Sequence, residues 1–123
     1  MSFAALQYQQ ARVTTASPVA ILVSLYEGAI RALRDSQAHH ARGEIAKRGE
    51  ALSKAHAIVS ELALTLDHER APQMCDELTR LYDFVLRGIG EATTSADPSR
   101  VDPGIDVLVR LHSAWSEIAR RGT

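Results

Sequence analysis

The sequence predicts an all-α protein, an antiparallel up-down-up-down four-helix bundle with a mobile N-terminal arm, and three observations support that prediction. Apolar residues recur at intervals of three and four in four separate segments, with no sustained period-two alternation framed by hairpin turns. Hydrophobic residues make up 46% of the chain and aromatic residues only 5%, so the core has to be built from Leu, Ile, Val and Ala, which suit packed helices. The 123 residues leave room for one domain, because a core of this size already buries well over half of the unfolded surface.

The first helix is expected to start at Ser17 and Pro18. A serine hydroxyl can accept from the first free backbone amides, and proline occupies the first helical position without losing a bond. Val19, Leu22, Tyr26, Ala29 and Leu33 form one stripe, and Ile21, Leu25 and Ala32 form a second that widens the apolar face. Such a helix needs cover on two sides. His39 and His40 fall in its last turn, where a positive imidazole favours the negative end of the helix dipole.

After Gly43 the pattern resumes with Ile45, Leu52, Ala55, Val59, Leu62 and Leu66, close to the heptad spacing of antiparallel bundles, so the second helix is expected from about Ile45 to Leu66. Pro72 opens a third, whose inward residues are Met74, Leu78, Leu81, Tyr82, Val85 and Ile89. Gly88 and Gly90 weaken its end. The stretch from Thr93 to Gly104, with its Thr, Ser, Asp and two prolines, marks the longest loop. Beyond it, Ile105, Leu108, Leu111, His112, Trp115 and Ile118 form the buried stripe of a fourth helix. Residues 1–16, with Phe3, Leu6, Tyr8 and Val13 scattered among Gln and Ala, are expected to form an arm that docks on the bundle domain of residues 17–123.

Composition narrows the function. Fourteen basic against fifteen acidic residues give a formal charge of -1, which supplies no electrostatic footprint for nucleic acid or an anionic membrane. The most apolar stretch, PVAILVSLYEGAI, is interrupted by Ser24 and Glu27 and is too short to cross a bilayer. The N-terminus lacks a charged region followed by a sustained apolar run and does not resemble a secretory signal. Cys75 is the only cysteine, so no intramolecular disulfide forms and a reducing, cytoplasmic setting is expected.

Five histidines invite a search for metal or catalytic groupings. The Glu-x-x-His pairs of di-iron bundles, His-Glu-x-x-His and paired cysteines are all missing, so no metal or cofactor is expected. No serine stands in a nucleophile motif and no glycine-rich phosphate loop follows a strand, so no enzyme is expected. His56, in KAHAIVSEL, raises a histidine phosphotransfer bundle as the alternative function, but the lysine and glycine that open space for the phosphoryl group in such domains do not follow it. His112 reads as a core histidine with its polar atoms paired. A third reading is a bundle that self-associates through surplus apolar surface.

Several stretches together resemble the flagellar secretion chaperone FliS family: QYQQARV and TASP in the arm, LYEGAI at Leu25 to Ile30, and KAHAIVSELALTLDHE at Lys54 to Glu69. LTRLYDFVLRGI at Leu78 to Ile89 and LHSAWSEI at Leu111 to Ile118 continue the match, which runs in order from Tyr8 to Ile118. The sequence departs from the family pattern at HERAPQM, at Ala92 to Gly104, and in a last helix that stops soon after Trp115. The resemblance implies a bundle that holds the C-terminal segment of flagellin in the cytoplasm, blocks its premature polymerisation and presents it to the export gate. It further implies that the arm around the tyrosine of the QY motif yields to the client, which singles out Tyr8, Gln10 and Val13. A disordered amphipathic tail has to place its apolar residues in grooves between helices. The apolar positions beyond one stripe, Ile21, Leu25, Ile58, Leu64, Val107 and Leu111, are the expected groove walls, since one core needs only one stripe per helix.

Overall fold

The computed structural model describes residues 18–121; the arm and the expected cap at Ser17 lie outside the described residues. Four helices make up the bundle: α1 (Pro18–Ala41), α2 (Ile45–Leu64), α3 (Pro72–Ser95) and α4 (Asp102–Arg120), with a 3-10 turn at Pro98–Val101 between the last two. Among the described residues there is no strand. Helix α1 packs against α2 on one side and α4 on the other, while α3 closes the ring by packing against α2 and α4. Short reversals between consecutive neighbours give the up-down-up-down arrangement.

The core follows the predicted stripes with informative exceptions. Tyr26, Ala29 and Leu33 are fully buried on α1, and so are Ala55, Val59 and Leu62 on α2. Tyr82 and Val85 of α3 and Leu108 of α4 complete the centre. Ile45, Met74 and Ile118, expected inside, are 68%, 49% and 39% exposed. Ile45 and Met74 stand in the first turn of a helix, and beside Met74 it is Cys75 that turns inward, 2% exposed. The expected end of α2 at Leu66 is two residues too long, because Thr65 closes the helix with its amide on Glu61 and Leu62 and its hydroxyl on the Leu62 carbonyl at 2.7 Å.

The turn between α1 and α2 is a Schellman closure. Gly43 takes φ +73°, the left-handed conformation that favours glycine, and the amide of Glu44 reaches back to the His39 carbonyl at 2.9 Å. The two histidines are tied into this turn. His39 Nδ1 lies 3.0 Å from Glu44 Oε1, and Arg48 Nη1 donates to His40 Nδ1 at 2.9 Å. The His39 hydrogen bond, aided by Lys47 and Arg42, holds the Glu44 carboxyl below the usual glutamate range. A carboxyl that binds protons less readily when folded stabilises the fold above its unfolded range and loses that contribution as pH falls through the folded value. Glu44→Gln is therefore expected to melt below the wild type at neutral pH, with the gap closing in acid. A gap unchanged down to pH ~3 would show that Glu44 is uncoupled from folding.

The stretch expected as the longest loop is mostly helical. Helix α3 runs on to Ser95, its last hydroxyls donating to carbonyls one turn back, and Ala96 ends it in the left-handed region at φ 53°. Asp97 then accepts from the Ser99 amide at 3.0 Å and caps the 3-10 turn. Pro98 and Pro103 each sit in the first turn of a helical segment, where a missing N–H costs nothing. The prolines start helices here instead of marking a loop. Gln37 of α1 fastens the segment by donating to the Pro98 carbonyl at 3.1 Å and to Asp102 Oδ1 at 2.7 Å.

At the centre, the hydroxyls of Tyr26 and Tyr82 meet at 2.5 Å, joining α1 to α3. Burial pushes both phenols up from the ordinary tyrosine range, Tyr82 far above it; at Tyr26 the neighbouring Tyr82 and Trp115 side chains act in the opposite direction. Tyr82→Phe removes one half of this pair and leaves the Tyr26 hydroxyl buried, so a loss of about 1–3 kcal/mol is expected in denaturant unfolding. An unchanged midpoint would mean that the pair adds nothing to the net balance.

Candidate functional site

The residues expected to line a client groove fall into three groups. Tyr8, Gln10 and Val13 lie outside the described residues. Ile21, Leu25 and Ile58 are core residues, 9%, 2% and 2% exposed, and the expectation that they are surplus wall is corrected. The reason lies in α1 itself: flanked by α2 and α4, it uses both of its apolar stripes for packing, and Ile58 on α2 is consumed in the same core. Val107 and Leu111 on α4 are half-buried and packed against that core, whereas Leu64 is 78% exposed.

Leu64 has company. It sits at the end of α2, and Met74 at the start of α3, so the antiparallel order puts both at the end of the bundle where α1 begins at Pro18. That end presents large apolar side chains to solvent and is also where the chain enters from residues 1–17. Phe84, 44% exposed on α3, borders a separate hollow of about 270 Å³ that reaches Arg87, Gly88 and Pro103. Sequence reasoning passed over Met74 and Phe84, assigning the first to the core and the second to no role.

A recess of about 500 Å³ runs between α1 and α4. Ile30 and Val109 supply its apolar surface, while Glu27, Arg31, Arg34 and Asp35 stand along α1 and His112 on α4. The expected pairing of His112 in the core is not found. Its ring is half-buried at the edge of this groove, and Nε2 lies 3.7 Å from Glu27 Oε2 with no hydrogen-bond partner. Trp115, one turn on, keeps its buried indole N–H near the Tyr26 hydroxyl, short of full hydrogen-bond geometry.

His56 is exposed on α2 beside a shallow hollow against α3, and its only described partner is the Ser60 hydroxyl at 3.5 Å. Among the described residues no group of three or more His, Cys, Asp and Glu is arranged to hold a metal ion. None of the described helices is long and apolar enough to cross a membrane. The bundle offers apolar and mixed-charge surfaces, which suit the binding of a polypeptide.

Comparison with known proteins gives the same direction. A family model described as flagellar protein FliS matches residues 1–122. The chain is 32% identical over 117 residues to flagellar secretion chaperone FliSB of Pseudomonas aeruginosa, covering 92% of this chain and 93% of that relative. It is 34% identical over 107 residues to flagellar secretion chaperone FliS of Vibrio cholerae, covering 87% and 79%. With the chaperone of the same name from Salmonella typhimurium it shares 29% identity over 115 residues, covering 93% and 85%.

Proposed function

This chain belongs to the flagellar protein FliS family, a family of secretion chaperones and not of enzymes, and from that premise we propose that it binds the C-terminal segment of flagellin in the cytoplasm. Binding keeps the segment from polymerising prematurely and delivers it to the flagellar export apparatus. The observation that carries this reading is agreement with flagellar secretion chaperones along nearly the whole chain. The described bundle supports it by leaving Leu64 and Met74 uncovered at one end, since a disordered amphipathic tail gains by placing its apolar residues on such a surface. Cys75, the only cysteine, is buried and free, which fits a reducing compartment. Tyr8, Gln10 and Val13 are assigned to an arm that competes with the client for this surface.

The test is retention of the host's flagellin. The purified chain should hold full-length flagellin and release flagellin that lacks its C-terminal segment; equal retention of both, or of neither, removes the proposal. Leu64→Asp combined with Met74→Asp should weaken retention by about tenfold or more through loss of apolar contact, with melting nearly unchanged because both side chains are exposed already. Tyr8→Ala should shift client affinity while helical content stays constant.

A further inference from the structure

We propose that the groove between α1 and α4 seats an acidic, amphipathic stretch of the flagellin tail: two carboxylates one helical turn apart, flanking an apolar side chain. This rests on the flagellin reading above and adds to it the chemistry of one subsite. The groove has an apolar floor, because Ile30 is nearly covered but Val109 remains 39% exposed. Val109 is thus a contact waiting for cover from outside the bundle.

The charges around that floor are ordered. Along α1 they read Glu27, Arg31, Arg34, Asp35, so two cations lie between two anions. Among the described residues, Arg31 and Arg34 make no ion pair. Their Cα atoms rise about 4.5 Å along the helix from one to the next, the spacing of side chains one turn apart on a partner helix. Glu27 is occupied, facing His112 across the groove at 3.7 Å. Asp35 stays at the far end, where it repels any long run of acids. A polyanion such as nucleic acid therefore fits poorly, whereas two spaced carboxylates followed by neutral or basic residues fit well. On the α4 wall, His112 Nε2 is buried and faces Glu27 at 3.7 Å, so it offers the segment no free site.

The experiment uses the full chain and a labelled peptide of the host flagellin's C-terminal segment. Binding is followed by anisotropy for the wild type and for Arg31→Glu with Arg34→Glu, at low and at physiological salt, with thermal melting as the check of fold. Both arginines are exposed, so the melting curve should barely move. About tenfold weaker binding is expected, with a flatter dependence on salt, since two screened ion pairs are lost and replaced by repulsion. A tail whose two facing acids are changed to lysine should regain affinity for the reversed variant. Should the melting curve collapse, Arg31→Ala with Arg34→Ala takes its place, and the loss of salt dependence is then the readout. Undiminished, equally salt-dependent binding by the double variant overturns the subsite and leaves the flagellin reading standing. Failure of the wild type to bind the tail removes both. Self-association of the wild type that the reversal abolishes would assign the groove to a second copy and overturn the proposal.

Discussion

Leu62→Ala is expected to lower the free energy of unfolding by about 2–5 kcal/mol, while Leu64→Ala, two positions on, changes it by no more than about 0.5 kcal/mol. The two residues share a helix, a chemistry and a sequence neighbourhood, so propensity and unfolded-state effects nearly cancel between them. What differs is the environment. Leu62 has no exposed surface and belongs to the cluster that α1, α2 and α3 close around, whereas Leu64 is 78% exposed. Removing three carbons from the first leaves a void in a close-packed interior; removing them from the second leaves water where water already was. For a domain whose whole stability lies near 5–15 kcal/mol, the first loss is large enough to bring the midpoint of urea unfolding far down. Equal costs at the two sites would mean that α2 is rotated from the orientation described, and with it the surface offered to a client.

The contrast between Leu62 and Leu64 was legible in the sequence, and the reason is angular. Two residues along a helix turn about 200°, so if Leu62 continues the stripe of Leu52, Ala55 and Val59, Leu64 has to point away from it. The same rule fails for α1, where Ile21 and Leu25 also lie off the first stripe and yet are buried. Periodicity tells how wide an apolar face is but not how many neighbours it will meet; α1 meets α2 and α4, and α2 meets α1 and α3, so that Ile58 is consumed as well. The α1–α4 groove was hidden for the same reason. Nothing in the sequence singles out Arg31 and Arg34; the packing of α4 brings Val109 and His112 beside them. Pro98 and Pro103 were misread by a different route: a proline signals either a break or a first turn, and only the residues that follow decide which. Asp97, which accepts from the Ser99 amide, is the local cap that tips the first of them toward a helical start.

Gly88 and Gly90 make a sharper case, because the sequence treats them alike and the structure does not. Both lie inside α3, where replacing glycine with alanine removes backbone freedom from the unfolded chain and is worth up to about 1 kcal/mol in favour of the fold. At Gly90 nothing lies within 4 Å of where a Cβ would stand, so Gly90→Ala should stabilise by about 0.5–1 kcal/mol. At Gly88 the added carbon would fall 2.8 Å from the Arg100 carbonyl oxygen, a backbone atom of the 3-10 turn that cannot swing aside as a side chain would. Either α3 or the turn has to shift, and the turn is tied by Gln37 at Pro98 and by Arg100 to Glu91 at 3.3 Å. The overpacking outweighs the gain in propensity, so Gly88→Ala is expected to destabilise by about 1–3 kcal/mol. The shift would also loosen Val101, the buried last residue of the turn, so amide exchange at the start of α4 should accelerate in this variant and not in Gly90→Ala. Stabilisation at both positions would show that the 3-10 turn yields freely, and that the close seating of residues 98–101 on α3 does not constrain how the last helix enters the bundle.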